Sequence, residues 1–393
     1  MIRYHLAEDT IDRKDIDRLI AWLKTYPRLT KATVTLEFEA KWNQWLGRKY
    51  SVFCNSGSSA NLLMYDALLL SGRLKNKKII VPSVGWVTSI APAIQLGFEP
   101  IMCEADPDTF GLDLKHLEFL LKEHAPSTVF MVQVLGVPHK MHALKELKDK
   151  YGFILLEDAC AAIGASYHGK KVGTFGEMAS FSFYFGHQMS TIEGGMVSTD
   201  DPELNHLLLM LRSHGWSKDL DPTTHQDLVD RYQIDDFHTP FVFYQPGFNL
   251  RSTDLNAYLG LGQIDKLDWI IQRRTANHAR YKSHLGERFY CQRSDDPQAD
   301  NCSIHFGLLA NDTEQRQVFV QALNENGVET RIFSAGNLGL HPFWYERYGR
   351  ANFPMADRIH RCGFFLPNHP TMTFDDVDVI SQVILDAACL APS

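Results

Sequence analysis

One histidine of this 393-residue chain lies in a segment suited to proton transfer. His187 follows an aromatic run and precedes a glycine pair in the segment FSFYFGHQMSTIEGG, residues 181–195. An imidazole, with an unperturbed pKa of about 6.5, can take up and release a proton near neutral pH. It cannot form an imine with an aldehyde, because that reaction needs a primary amine such as that of lysine. The segment therefore predicts acid–base chemistry at His187; an ordinary interior histidine is the alternative interpretation.

The turn Asn55–Ala60, with the sequence NSGSSA, separates a strand-like apolar run from a helix-like run. Its backbone N–H groups and the start of the following helix can hold a phosphate. Turns of this composition often only cap a helix, so the turn alone leaves both interpretations open.

Two more candidate positions follow strand-like runs. Trp86 comes just past the run Ile79–Val81. A flat indole there can cover one face of an aromatic ligand and exclude water, although a core tryptophan fits the position equally well. Glu157 and Asp158 follow the run Phe153–Leu156. Two carboxylates at the end of an apolar strand indicate a functional acid, and Glu157 alone is also compatible with a structural role.

Helical and strand patterns alternate through about the first 250 residues, as in an α/β lobe. Apolar residues recur at helical spacing over Ile16–Leu23 and over Phe38–Trp45, which ends near Gly47. Short runs that predict strands lie at Val52–Cys54, Ile79–Val81, Ile101–Cys103, Val129–Val132 and Phe153–Leu156. Helix-like stretches lie at Ser59–Leu70, Leu114–His124 and Met141–Tyr151. The alternation predicts a mostly parallel central sheet, buried on both faces.

A long helical segment from about Thr253 through Ile271 leads into a smaller C-terminal α/β part. We therefore expect a large domain over residues 1–252 and a small domain over residues 253–393. With 45% hydrophobic residues, the chain is long enough to form two well-buried lobes.

Charge and hydropathy argue against several classes of protein. The formal charge of −8 gives no basic footprint for nucleic acid. No run of eighteen apolar residues occurs, and the start, Met1–His5, lacks the apolar core of a secretory signal. We therefore expect a cytoplasmic protein with no membrane span and no nucleic-acid partner.

The segment around His187 resembles the lysine loop of the sugar aminotransferase (DegT/DnrJ/EryC1/StrS) family, whose members act on nucleotide-linked keto-sugars. In that family a serine, four residues and the lysine precede a Gly-Glu-Gly-Gly or Gly-Asp-Gly-Gly turn. The matching positions here are Ser182, His187, Ile192 and Glu193–Gly195, so a histidine replaces the lysine. Two branches of the family make this replacement, and both are sugar 3-dehydratases of 4-keto-6-deoxy substrates.

The resemblance implies fold type I, like that of aspartate aminotransferase, and pyridoxal 5′-phosphate (PLP) or pyridoxamine 5′-phosphate (PMP) as the cofactor. Gly57–Ser59 corresponds to the family's phosphate turn, and Ser182 adds a hydroxyl to the phosphate. Trp86 corresponds to the ring that stacks on the pyridine. Asp158 corresponds to the acid that pairs with the pyridine nitrogen and keeps the ring able to accept electrons.

Two segments resemble parts that the family contributes to a neighbouring subunit's active site. Gly247–Arg251 resembles a Gly-Tyr-Asn-Tyr-Arg motif, whose asparagine, here Asn249, reaches the neighbour's phosphate. Leu211–Gly215 resembles Leu-Arg-x-His-Gly, and His214 corresponds to a histidine that projects towards the partner's site. The resemblance implies a homodimer with shared active sites. A surface ion pair at Arg251 and a helix-end charge at His214 are the alternatives.

Later in the chain, Thr330–Leu338 resembles the Ala-Gly-Asn segment of the 3-dehydratases, although a plain loop is the alternative. Arg331 and Asn337, together with Arg251, are therefore expected substrate contacts. The chain departs from the family at Ala161, where a glutamine is common three residues after the aspartate. This departure leaves the sugar or its stereochemistry open.

The cysteines separate the two histidine branches. Seven cysteines are scattered with no C-x-x-C or C-x-C pair, which indicates reduced thiols. The CDP-sugar branch carries closely spaced cysteines for an iron–sulfur cluster and needs an external reductase. The chain resembles more the branch that acts on a GDP-linked sugar in colitose-type (O-antigen) deoxysugar biosynthesis, and no metal is expected. The nucleotide base rests on the resemblance alone.

The resemblance implies a 3-dehydration in which L-glutamate supplies an amino group and ammonia is released. His187 then acts as base and acid, and His214 is the second catalytic candidate. A 4-aminotransferase that uses another amine is one alternative, but Lys170, Lys171 and Lys218 do not lie at the required spacing. A catalytically silent cofactor-binding paralogue is the other, and retention of the candidate site residues argues against it.

Overall fold

A computed structural model describes residues 2–390, and its main sheet is mostly parallel as predicted. The first nine strands are β1 (Tyr50–Cys54), β2 (Lys78–Pro82), β3 (Glu99–Cys103), β4 (Thr128–Val132), β5 (Ile154–Asp158), β6 (Ser166–Tyr167), β7 (Lys170–Lys171), β8 (Met178–Ser182) and β9 (Gly195–Thr199). Seven of them form the sheet β1-β9-β8-β5-β4-β2-β3, in which β9 alone runs antiparallel to its neighbours. The five predicted strands correspond to β1–β5.

The helices of this first part are α1 (Arg13–Leu23), α2 (Thr33–Leu46), α3 (Gly57–Leu70), α4 (Ala91–Gln95), α5 (Leu114–His124), α6 (Met141–Tyr151), α7 (Pro202–Arg212) and α8 (Pro222–Tyr232). Of these, α3–α6 alternate with β1–β5, α1 and α2 precede β1, and α7 and α8 follow β9. The predicted helices at α3, α5 and α6 are confirmed. Gly47, with a φ of 86°, ends α2 in the left-handed conformation that a glycine adopts without strain.

The sheet is buried on both faces because successive side chains of a strand point to opposite sides. In β2, Ile79 and Val81 pack in one cluster with Leu63 of α3. Ile80, between them, packs in another cluster with Leu117 of α5. The carboxyl ends of the parallel strands therefore meet at one edge of a helix-covered sheet, where ligands commonly bind in open α/β folds.

The second part of the chain contains a four-stranded antiparallel sheet in the order β10-β12-β14-β13. Its strands are β10 (Tyr290–Cys291), β12 (His305–Leu309), β13 (Arg331–Ile332) and β14 (Gly363–Pro367). Strand β11 (Ala299–Asp300) lies between β10 and β12 in the chain and pairs with β6 in a separate sheet. The helices are α9 (Asp254–Ile264), α10 (Leu267–Leu285), α11 (Thr313–Glu325), α12 (Pro342–Tyr348), α13 (Pro354–Cys362) and α14 (Phe374–Leu390). Within residues 2–390, no helix has both the length and the apolar composition to cross a membrane.

The long helical segment predicted from Thr253 is interrupted. It forms α9 and α10, which are separated by Asp265 and Lys266, and Lys266 Nζ donates to Asp12 Oδ2 at 2.7 Å. Helix α9 packs on α2 of the first part: a Cβ on Gly260 would lie 2.6 Å from the ring of Phe38. A domain boundary at residue 252 stays a prediction.

Candidate active site

The start of α3 forms the open turn expected for a phosphate. Ser56 caps the helix, and its Oγ accepts the N–H of Ser59 at 3.1 Å. Ser58, in the first turn, is exposed. Gly57 lies directly against Ser182, since a Cβ at position 57 would be 2.5 Å from the Cβ of Ser182. The partial positive charge of the helix start and these hydroxyls are therefore grouped where an anion can approach.

Asp158 ends β5 and is 5% exposed. Its Oδ2 accepts hydrogen bonds from Asn61 Nδ2 at 2.9 Å and from Ser89 Oγ at 2.8 Å. Its Oδ1 accepts the N–H of Cys160 at 3.0 Å. The three donors come from α3, from the turn after Trp86 and from the end of β5. They fix the carboxylate between the candidate phosphate turn and the candidate stacking ring.

Two of these donors were missed in the sequence. Asn61 carries a weak signal, because it is a polar residue on the buried side of an apolar helix, 1% exposed. Its Oδ1 accepts from Ser180 Oγ at 2.6 Å, so the amide is used at both ends. Ser89 carries no signal, since a serine in a turn is common at any surface.

His187 lies in the loop between β8 and β9. Its side chain is partly exposed, but Nδ1 is buried and has no hydrogen-bond partner within residues 2–390. Burial lowers the pKa of the imidazole to about 4, while the charge of Asp158 acts in the opposite direction. The imidazole is therefore neutral at pH 7, which is the form that accepts a proton.

Trp86 lies between β2 and the short turn Val87–Ser89, and it is half exposed. The guanidinium carbon of Arg331 lies 5.9 Å from the centroid of its indole. The charge of Arg331 also lowers the pKa of His187, although less than burial does. Trp86, Arg331 and His187 therefore lie around one site, which also includes Asp158.

Asn337, expected as a substrate contact, is instead buried inside the protein. Its Nδ2 donates to Asp357 Oδ1 at 2.6 Å and to the carbonyl of Ala351 at 3.0 Å. Its Oδ1 accepts the N–H of Gly339 at 2.8 Å. Because both polar atoms of the amide already have protein partners, the structure gives Asn337 a structural role, and we do not retain it as a ligand contact.

His214, Asn249 and Arg251 form one cluster at the surface. Arg251 Nη2 lies 3.2 Å from His214 Nε2, and Arg251 Nε donates to Asn249 Oδ1 at 3.0 Å. The N–H of Asn55 donates to the carbonyl of Leu250 at 2.9 Å, which attaches this cluster to the turn before α3. Asn249 is exposed and His214 is partly exposed. The cluster is thus available to a second molecule.

The site fits a phosphorylated pyridine cofactor on its own geometry. The close approach of Gly57 to Ser182 would be lost to any side chain at position 57. The buried carboxylate of Asp158 can pair with a ring nitrogen, and the exposed indole of Trp86 can stack on an aromatic ring. The buried Nδ1 of His187, without a hydrogen-bond partner within residues 2–390, completes a set with one unused ring nitrogen.

Comparison with known protein families shows a similarity that covers nearly the whole chain. The model of the DegT/DnrJ/EryC1/StrS aminotransferase family matches residues 9–384. GDP-4-keto-6-deoxy-D-mannose 3-dehydratase of Yersinia pseudotuberculosis is 32% identical over 379 residues, which are 94% of this chain and 95% of the relative.

Two solved structures are similar along nearly the whole chain. E. coli GDP-4-keto-6-deoxy-D-mannose-3-dehydratase with bound hydrated PLP has a TM-score of 0.89 at 28% identity, and the match covers 98% of this chain and 100% of that one. A GDP-4-keto-6-deoxymannose-3-dehydratase with a trapped PLP–glutamate geminal diamine has a TM-score of 0.88 at 27% identity and covers 97% and 100%. The fold type I architecture expected from the sequence is thus confirmed.

Proposed function

The chain belongs to the DegT/DnrJ/EryC1/StrS aminotransferase family, and we propose that it is a PLP/PMP-dependent 3-dehydratase of GDP-4-keto-6-deoxy-D-mannose. It removes the C3 hydroxyl of the sugar, takes an amino group from L-glutamate and releases ammonia. The product is a 3,6-dideoxy-4-keto sugar of colitose-type biosynthesis. The observation that carries the proposal is a histidine at position 187, with a buried Nδ1 unpartnered within residues 2–390, where the family's aminotransferases need a lysine.

The residues that hold the cofactor come from the start of α3, from β5, from β8 and from the turn after β2. The N–H groups of Gly57 and Ser58, with the hydroxyls of Ser59 and Ser182, bind its phosphate. Asp158 binds its ring nitrogen, and Trp86 covers one face of its ring. When bound, the cofactor supplies an electron sink that allows a C–H bond to break and a neighbouring hydroxyl to leave.

His187 moves the proton in this scheme. Its Nδ1 has no protein partner and is therefore free to take a proton from the reacting carbon. The resulting imidazolium then returns a proton to the departing C3 hydroxyl, so one side chain serves as base and as acid. An imidazole cannot capture the cofactor covalently, and transamination therefore does not compete with loss of the hydroxyl.

The functional unit in this proposal is a homodimer with shared sites. His214, Asn249 and Arg251 stand together on the surface, and large aromatic side chains are exposed close by in the chain: Phe237 at 86%, Phe241 at 70% and Phe243 at 58%. Exposed aromatic surface of this kind favours association with another protein surface. In the dimer His214 and Asn249 enter the neighbour's site. The cytoplasmic location expected from the sequence remains part of the proposal.

The test is product analysis with purified protein, L-glutamate and GDP-4-keto-6-deoxy-D-mannose. We expect ammonia and a GDP-linked 3,6-dideoxy-4-keto sugar in equal amounts, and neither with His187→Asn. His124→Asn, at the end of α5, is the matched control and should keep full activity. A GDP-4-amino sugar without ammonia would identify an aminotransferase, and bound cofactor without turnover would identify a silent paralogue. Parallel reactions with CDP- and dTDP-linked sugars test which nucleotide base the enzyme prefers.

A further inference from the structure

A buried guanidinium connects the loop of His187 to the second part of the chain. Arg274, on α10, is 2% exposed. Its Nη2 donates to the carbonyl of His187 at 3.0 Å. Its Nη1 donates to the carbonyls of Ile304 at 3.0 Å and of Asn368 at 2.5 Å. One side chain therefore holds three backbone segments, from residues 187, 304 and 368, that are far apart in the sequence.

The charge of Arg274 has no carboxylate partner among residues 2–390, and its Nε has no hydrogen-bond partner there. Burying an unpaired cation is energetically unfavourable, so a neutral side chain would suit a purely structural position better. The neighbouring Arg273 differs in exposure, because it is partly in contact with solvent. It donates to the carbonyls of Pro370 and Met372, but not to His187.

We infer that Arg274 is the positioning residue for His187: it fixes the backbone of the proposed base against the second part of the chain. This inference rests on the proposed function of His187. The loop that carries His187 has no regular secondary structure between β8 and β9, so its position depends on such contacts. A displacement of about 1 Å at a reacting group can lower a rate by about a hundredfold.

The electrostatic effect of Arg274 acts in the same direction. Burial is the main cause of the low pKa of His187, and the charges of Arg274 and Arg331 lower it further. The charge of Asp158 raises the pKa of His187. Burial, and then the charges of Arg274 and Arg331, also lower the pKa of a second imidazole, that of His305 on β12. A cation at position 274 thus helps to keep the base neutral.

The experiment compares Arg274→Gln, Arg274→Lys and the matched control Arg273→Gln in the full-length holoenzyme. For Arg274→Gln we expect kcat to fall about tenfold or more with KM within about twofold, because the base is displaced while the cofactor site remains. Arg274→Lys keeps the charge but has a single nitrogen in place of the two that donate to the three carbonyls. Its kcat should lie between those of Arg274→Gln and the wild type. Arg273→Gln should match the wild type.

A second readout separates positioning from folding. NMR with 13C-labelled histidine, with His187→Asn identifying the resonance, follows the titration of His187 directly. Its pKa should rise in Arg274→Gln and remain low in Arg274→Lys and Arg273→Gln. If Arg274→Gln does not fold, Arg274→Lys takes its place. A kcat below that of the wild type, at an unchanged urea midpoint of unfolding, would then support the inference.

Equal kcat and equal His187 titration in both Arg274 variants and the wild type would overturn the inference. A loss of urea stability without a change in either readout would do the same and leave a structural role only. The titration does not depend on dehydration, so absence of ammonia release by the wild type would contradict the proposed function separately.

Discussion

Asn61 Nδ2 donates to Asp158 Oδ2 at 2.9 Å, which joins the first turns of α3 to the end of β5. The contact holds the helix start that is proposed to bind phosphate and the carboxylate that is proposed to bind the ring nitrogen in a fixed relation. Ser89, one turn after Trp86, donates to the same oxygen at 2.8 Å. The proposed anchors for phosphate, ring nitrogen and ring face are therefore coupled through one carboxylate.

Asp158→Asn should slow dehydration by about a hundredfold, or about 3 kcal/mol of barrier, because the ring loses its charged partner while the phosphate anchors remain. Single-turnover rates with bound cofactor measure this. Asp66→Asn, a buried carboxyl on the same helix α3, is the control and should react at the wild-type rate. An Asp158→Asn rate within twofold of the wild type would mean that another acid serves the ring.

Gly57→Ala should weaken cofactor binding by about tenfold or more, because its Cβ would lie 2.5 Å from the Cβ of Ser182 and one of them must move. Equilibrium titration of the apoprotein with pyridoxal phosphate measures the dissociation constant. Gly85→Ala is the matched control, since its Cβ would meet Val132 at an ordinary 3.5 Å. Equal affinities in both variants would place the phosphate elsewhere.

Local motifs in the sequence indicated most residues of the candidate site, whereas the long-range contacts between them could not be predicted. The turn at Gly57 and the acid at Asp158 follow apolar runs that form strands, so the position of each is implied by its neighbours in the chain. The partners of these residues are not: Asn61 and Asp158 are 97 residues apart, and Arg274 and His187 are 87 apart. Asn337 could not be interpreted from the sequence for the same reason. Only the fold shows that both polar atoms of its amide already have hydrogen-bond partners within the protein.

Borohydride reduction should leave the cofactor unattached to the wild-type chain, because His187 has no amine to form a reducible link. Intact mass after reduction should equal that of the apoprotein. His187→Lys is the positive control, and it should gain the mass of the reduced cofactor on position 187 and lose dehydration. Modification of any wild-type lysine would contradict the proposed role of His187.

Acid should destabilise the fold through buried neutral histidines. Burial lowers the pKa of His278 to about 4, whereas an unfolded histidine titrates near 6.5, so the unfolded chain binds more protons between these values. Stability is full above about pH 6.5 and falls as the pH approaches 4. His278 alone should cost about 1 kcal/mol between pH 7.5 and 5.5. Urea unfolding at both values should show a smaller pH effect in His278→Gln than in the wild type, and equal effects would contradict this.

Mixed dimers test whether His214 acts in the neighbouring site. His187→Asn and His214→Ala chains should each be impaired alone, since every site in either homodimer has one defect. In a mixed dimer, shared sites would place both defects in one site and none in the other, so about half of the wild-type activity per heterodimer should return. Differently tagged chains allow the heterodimer to be purified and subunit exchange to be verified. A mixture of His187→Asn with His187→Lys chains is the control and should stay inactive, because no site in it has an intact base. Verified heterodimers without recovered activity would place His214 in its own chain's site, and the aromatic surface around Phe241 would then serve association alone.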